Sequence, residues 1–287
     1  MGQIAFWSPY SGSGQTSSIA AIAAAIGSEY HVRCLISQTK NRESSLEHSF
    51  SRSLNTFNRT LGNISGTRHV SGTGLDAVIR IARSGKLEAG AVKNNTQIIE
   101  QGRLDLLSSS DQIDHAKFET ASDLIRSIFE QATRYYNLVL LDLPSGDDSE
   151  LSRKLIASSD VVVICLPQSW RSLDTYFNKK IWPRTLVGKK IVLLFTQHDR
   201  HSKYKAANVT RKYKSSKGLI VPYNTTFKDA VNDGDTKSFY KANKAADRRH
   251  PNYEFVYEVQ RAAKQLLDEI GIDSKAKRID AEERGAS

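Results

Sequence analysis

The sequence predicts an α/β fold, a mostly parallel, doubly wound sheet with helices on both faces. Three observations carry that prediction. A short apolar strand, a glycine-rich loop, a helix and a second strand succeed one another at the start of the chain. Continuous apolar runs then recur at 138–141, 161–166, 191–195 and 219–221, as expected for parallel strands covered on both faces. Segments with helical spacing lie before and after these runs.

Gln3–Trp7 reads as a buried strand, and Ser8–Gln15 as a Gly/Ser loop. Thr16–Ile26, rich in Ala and Ile, reads as a packed helix that ends at Gly27. Val32–Ile36 is the second strand and completes a βαβ start. Residues 37–70 are polar, rich in Ser, Asn and Arg, and show no clear period. Gly74–Ser84 reads as a helix and Leu104–Leu107 as a short strand after Gly102. Over 117–135, Phe118, Ala121, Leu124, Ile125, Ile128, Phe129 and Ala132 fall at helical spacing. Leu138–Leu141 is a strand that ends at Asp142. Tyr253–Ile270 reads as a final amphipathic helix, and the polar chain from Asp273 is expected to fray. The domain organisation expected is one unit over 1–272, with 37–100 as a variable insertion and 273–287 as a polar tail.

The chain has 287 residues, of which 39% are hydrophobic and 25% charged. That is enough apolar material for a sizeable core at an ordinary charge content. No apolar run reaches about 18 residues, so no membrane-spanning helix is expected. Met1–Trp7 has no basic n-region or cleavage pattern, which argues against a signal peptide and for a cytoplasmic location. The two cysteines, Cys34 and Cys165, lie in apolar strand runs without metal spacing and read as buried thiols. The net charge of +10 is uneven: residues 151–250 carry 21 Lys/Arg against 7 Asp/Glu, leaving −4 elsewhere. A basic half suits either a polyanionic partner or simply a solvated surface. His198, His201 and His250 lie in polar, basic stretches and read as surface histidines. The aromatics Trp170, Tyr176, Phe177 and Trp182 are roughly helically spaced and read as core or dimer packing.

Two segments can carry chemistry. In Ser8–Ser17, Gly12 and Gly14 let backbone N–H groups turn toward a phosphate, and the helix that follows adds partial positive charge. Thr16 stands where a hydroxyl would bind Mg²⁺, and Gln15 stands where a phosphate loop carries lysine. The bland alternative is an ordinary strand-to-helix turn. In the second segment, Asp142 closes a buried strand and is followed by Pro144 and Gly146. Open α/β sheets bind ligands at that edge. There Asp142 could hold Mg²⁺ through water and Gly146 could approach a γ-phosphate, or Asp142 could merely cap the next loop.

These segments resemble the ParA/MinD family of deviant Walker ATPases. That family's KGGxGKT loop aligns with Tyr10–Thr16: Gly12, Gly14 and Thr16 agree, Ser11 replaces a glycine, Tyr10 the signature lysine and Gln15 the Walker lysine. Its DxPxG matches Asp142, Pro144 and Gly146. The strand Val161–Leu166 with Pro167, Ser172 and Leu173 resembles a further family strand. Pro222, Tyr223 and Asn224 resemble its IPYN stretch, which commonly lines the adenine pocket.

The resemblance implies a P-loop NTPase fold that binds ATP and Mg²⁺, with Gly12, Ser13, Gly14, Gln15, Thr16 and Ser17 on the phosphates. It implies Thr16 and Asp142 near Mg²⁺, Gly146 near the γ-phosphate, and Pro222, Tyr223 and Asn224 toward the base. Ser37 replaces the family's water-activating Asp, and Thr196 and Gln197 its adenine-side Asn, so hydrolysis is expected to be weak or absent. Within the family the chain is most similar to TadZ-like proteins of tight-adherence pilus loci. Such proteins dimerise and mark where a pilus or secretion apparatus assembles. The chain starts at its phosphate-loop strand, so the receiver-like domain they often carry in front is not expected. Two further readings follow. A partition ATPase would bind DNA non-specifically through Lys179, Lys180, Lys189, Lys190, Arg211, Lys212 and Lys214. A pseudo-ATPase scaffold would use the fold as a surface alone. The tail from Asp273 lacks the apolar face that membrane attachment would need.

Overall fold

The computed structural model describes residues 2–39, 45–54, 73–109, 120–146, 149–179 and 184–279. Residues 117–119 of the expected helix, Lys180, Trp182 and the end of the polar tail lie outside them, as do parts of 37–100.

Eight strands form one sheet: β1 Gly2–Trp7, β2 Cys34–Gln38, β3 Gln97–Glu100, β4 Leu104–Leu107, β5 Leu138–Asp142, β6 Val161–Pro167, β7 Lys190–His198 and β8 Leu219–Pro222. Their order is β3-β4-β2-β5-β1-β6-β7-β8. Every pairing is parallel except that of edge strand β3 with β4. The predicted doubly wound sheet is therefore present. Its antiparallel edge is an addition that the sequence did not disclose, because Gln97–Glu100 is short and half polar.

Alternate residues of β1 feed two separate cores. Ile4 and Phe6 enter one, and Ala5 and Trp7 the other. The first core is closed by α1 Gln15–Glu29, α2 Ser45–His48, and the C-terminal α9 Thr225–Asn232, α10 Thr236–Asn243 and α11 Tyr253–Glu269. The second is closed by α3 Gly74–Arg83, α4 Ala89–Lys93, α5 Ser122–Tyr135, α6 Glu150–Ser158, α7 Trp170–Phe177 and α8 Ala206–Tyr213. Burial on both faces explains why the strands read as unbroken apolar runs. Cys34 and Cys165 are buried and free.

Two expectations need correction. Gly27 does not end α1, which continues to Glu29. A Cβ at Gly27 would stand 2.9 Å from Leu104 Cβ, so the glycine serves close packing of α1 on β4. The chain from Asp273 does not fray at once. Residue Ser274 is buried, and His31 N–H donates to Lys277 O at 2.8 Å. The Arg278 guanidinium then meets Glu29, the last residue of α1, at 3.4 Å.

Candidate functional site

The sheet order reverses at β1, which lies between β5 and β6. A crevice therefore opens at the carboxyl ends of β1 and β5, where doubly wound sheets take ligands. The loop after β1 fills its floor. Gly12 and Gly14 have φ of 71° and 72°, left-handed values that glycine adopts without strain. Gly14 is the N-cap of α1, and no side chain caps that end. The first-turn amides of a helix have no partner within it.

A cavity of 330 Å³ lies against this loop. Its lining includes the hydroxyl residues Ser11, Ser13, Thr16, Ser17 and Ser145, with no lysine or arginine among the described residues. Ser45 and Ser49, from the stretch that gave no sequence period, complete the wall. They arrive there because Gln38 Oε1, at the end of β2, accepts from Leu46 N–H at 3.2 Å. The 45–54 segment is also tied to the far side, where Arg52 N–H donates to Gly234 O at 3.0 Å. Nothing in the sequence pattern signalled this wall, since short polar segments carry no periodicity.

Asp142 is fully buried at the end of β5. Thr16 Oγ1 donates to its Oδ2 at 2.7 Å. Gln15 Nε2 donates to its Oδ1 at 2.6 Å, and also reaches Leu143 O at 2.7 Å and Phe6 O at 3.1 Å. All three partners are acceptors, which fixes the amide with its NH₂ inward. An NH₂ has two hydrogens, so one of the three contacts is shared. Gln15 thus joins the ends of β1 and β5 by neutral donors where a lysine would bring charge. Gln15 Oε1 and Ser13 Oγ are buried without a protein partner. Thr39 N–H anchors the Asp142 carbonyl at 3.0 Å.

Among the other predicted residues, Ser17 Oγ turns back to Gly14 O at 3.1 Å. Gly146 lies beside the loop, its N–H donating to Ser8 O at 2.7 Å. Its φ is 66°, and a Cβ there would stand 2.8 Å from Pro9 O. Gly146→Ala is therefore expected to cost about 2 kcal/mol, from left-handed strain and the backbone clash together. Urea denaturation of the variant against the parent checks this.

Tyr10 does not enter the cavity lining. Its hydroxyl lies 2.9 Å from Thr175 Oγ1 on α7, and the Arg171 guanidinium stacks 4.9 Å from its ring. Thr196 Oγ1 donates to Ser13 O and so braces the loop from β7. Gln197, at φ 48°, presses on Gly14: a Cβ there would meet its Cγ at 2.8 Å.

Gln197 also lines a second cavity of 380 Å³, which contains Pro222, Tyr223 and Asn224. Asn224 caps α9, its Oδ1 accepting from Phe227 N–H at 2.8 Å. Its Nδ2 donates to Asn252 Oδ1 at 2.9 Å. The phosphate-loop residues and the 222–224 residues are thus brought to adjoining cavities, with Gln197 between them.

His198, expected on the surface, is buried at the end of β7 in this second cavity. Its Nε2 accepts from Ala206 N–H, in the first turn of α8, at 3.1 Å. Burial lowers its pKa below the ordinary 6.5, against the opposing pull of Glu254 and Asp199. A lowered folded pKa means that the unfolded chain binds the extra proton first. The contribution of His198 is then full above about pH 6.5 and declines as the pH falls below it. Denaturation midpoints between about pH 7 and 5 should fall less steeply in His198→Gln than in the parent.

No protein-family model matches the sequence, and no curated protein does. Solved structures do match in fold. A ParA family ATPase from Chlorobium tepidum is 15% identical, with a TM-score of 0.69 over 92% of this chain and 98% of its own. MinD from Pyrococcus horikoshii, complexed with Mg-ADP, is 13% identical, with a TM-score of 0.67 over 94% and 98%. A plasmid partition protein from Borrelia burgdorferi, bound to AMPPNP, is 12% identical, with a TM-score of 0.63 over 93% and 98%. The fold of this chain is that of the ParA/MinD P-loop NTPases.

Proposed function

We propose that this chain binds ATP with Mg²⁺ at the loop Gly12–Ser17. On this reading it acts as a nucleotide-dependent homodimer that positions a pilus or secretion apparatus, with slow hydrolysis at most. The observation that carries the binding reading is the hydroxyl-lined cavity at the start of α1, with Thr16 in its lining and Asp142 buried behind Thr16 at 2.7 Å. Backbone amides, hydroxyls and the helix N-terminus supply a neutral cradle for phosphate oxygens. The nucleotides bound to two neighbours of the same fold support this reading.

The donor set fits Mg²⁺. Hard cations prefer oxygen, and Mg²⁺ is commonly held by one or two protein oxygens plus phosphate and water. Thr16 and Asp142 offer such a pair, and no group of three metal-binding side chains exists among the described residues. Bound there, Mg²⁺ would offset the charge that the missing lysines leave on a triphosphate. Pro222, Tyr223 and Asn224 would face the base across Gln197, and Gly146 would hold the loop near the γ-phosphate. Hydrolysis is slow because Gln15 brings hydrogen-bond donors but no charge to stabilise phosphoryl transfer.

Calorimetry with ATP, with and without Mg²⁺, tests the reading. Heat is expected with Mg²⁺ and much less without it. Silence at millimolar nucleotide would remove ATP binding from consideration.

The partition reading has one observation in its favour: Lys179, Arg211, Lys212 and Lys214 are exposed. Two others of that set are engaged, Lys189 with Ser159 O at 2.9 Å and Lys190 with Glu269 at 2.7 Å. Gel shifts with random duplex DNA across a salt series discriminate. Non-specific phosphate contacts give an affinity that falls steeply with salt.

A further inference from the structure

A groove of 300 Å³ runs between α7 and α8, on the sheet face opposite α1. Leu173 and Val209 form an apolar floor, and Trp170, Tyr204 and Tyr213 line it. Trp170 is 54% exposed, which separates it from the core packing expected of the aromatic set. Beside a concave apolar floor, such an exposed aromatic gives an incoming apolar side chain a surface to pack on.

Lys203 and Lys212 also line the groove. Each ammonium stands 5.1 Å from the ring beside it in sequence, Lys203 over Tyr204 and Lys212 over Tyr213. Among the described residues neither has a carboxylate partner.

The walls are fixed in advance. Gln168, just before α7, exchanges two hydrogen bonds with Asp199, before α8: Nε2 to Asp199 O at 2.9 Å and Asp199 N–H to Oε1 at 2.7 Å. Phe177 of α7 stacks on Tyr213 of α8 at 4.2 Å and 6°. A preformed groove loses little freedom on binding, so more of the contact energy remains as affinity.

We propose that the α7–α8 groove docks a short acidic segment of a partner protein, with one bulky apolar side chain on the Leu173–Val209 floor and flanking carboxylates on Lys203 and Lys212. Charge complementarity selects the acidic flanks. The ring geometry selects a peptide over single-stranded nucleic acid. Stacking of successive bases needs several open ring faces. Here Phe177 and the Lys212 ammonium both lie over Tyr213, and the Lys203 ammonium lies over Tyr204. Trp170 is left as the open face. The inference does not depend on nucleotide binding.

The test uses the full chain and fluorescence anisotropy with short labelled peptides, in which a central Leu, Phe or Trp is flanked by Asp and Glu. At least one such peptide should bind. Its Ala-centred and Lys-flanked counterparts should bind about tenfold more weakly or worse. Trp170→Ala, and Lys203→Glu with Lys212→Glu, should each weaken binding about tenfold while thermal melting stays at the parent value. Equal binding by the Ala-centred peptides, or unchanged affinity in Trp170→Ala, overturns the proposal. Tighter Trp170-dependent binding of an oligo-dT strand or of phosphatidylserine vesicles overturns it too, because the occupant is then nucleic acid or membrane.

Discussion

Replacing Gln15 by lysine is expected to turn a slow or silent protein into a measurable ATPase. The physical case rests on which atoms surround that side chain. Gln15 Nε2 points at three acceptors, Asp142 Oδ1, Leu143 O and Phe6 O. A lysine ammonium has three donors, so it can satisfy the same three acceptors and the fold should accept it. On nucleotide binding its longer, flexible stem lets the ammonium swing from these inward acceptors to the phosphates, bringing a positive charge to a cavity that has no lysine or arginine among its described lining residues. An arginine finger that stabilises phosphoryl transfer is worth about 10³–10⁵ in turnover, and a lysine at the phosphates acts on the same charge. A gain of about 10² or more over the parent is therefore expected in a phosphate-release assay. Affinity for Mg-ATP should rise by about tenfold, which corresponds to about 1.4 kcal/mol. An unchanged affinity would count against triphosphate in this cavity, whereas tighter binding without turnover would place the block at Ser37 and Tyr10, the other departures from the family's motifs.

The second large effect is at Asp142. Asp142→Asn keeps the shape of the side chain but turns one of its two acceptors into a donor. Thr16 Oγ1 and Gln15 Nε2 each donate to a separate carboxylate oxygen. The new NH₂ can face Thr16, whose hydroxyl turns to accept, while the remaining oxygen keeps the bond from Gln15. Two bonds to a carboxylate, each worth about 1.5–3 kcal/mol, then become neutral bonds worth about 0.5–1.5 kcal/mol. A loss of about 2 kcal/mol is expected, read from urea denaturation midpoints. Heat from Mg²⁺-dependent nucleotide binding should vanish in the same variant, whereas binding that needs only the backbone cradle would survive. A variant as stable as the parent would mean that the Gln15–Asp142–Thr16 network contributes little.

Much of the sheet was legible, for a definite reason. Strands buried on both faces must be apolar at every position, and Leu138–Leu141, Val161–Leu166 and Ile191–Phe195 are. Edge strand β3 and helices α8 and α10 were missed because their sequences mix polar and apolar residues over short lengths. The loop and Asp142 were found from residue types that only a few backbone geometries require. The Ser45 and Ser49 wall was not, because its place depends on a side-chain bond to Gln38 and on a contact with Gly234, which is remote from it in sequence. His198 was misplaced on the surface for a similar reason. Its neighbours in the chain are polar, while its burial comes from packing at the end of β7.

The sequence alone determined the doubly wound sheet, the glycine turn ahead of α1 and the Asp142 that closes β5. Those features follow from local rules: which residues tolerate full burial, and which allow a left-handed turn. Only the tertiary structure decided that Gln15 faces inward to Asp142, that hydroxyls rather than cations line the cavity, and that Trp170 stands open beside Lys203 and Lys212. Side-chain direction and the pairing of distant surfaces depend on how the helices pack on the sheet, and no local pattern in the chain encodes that packing.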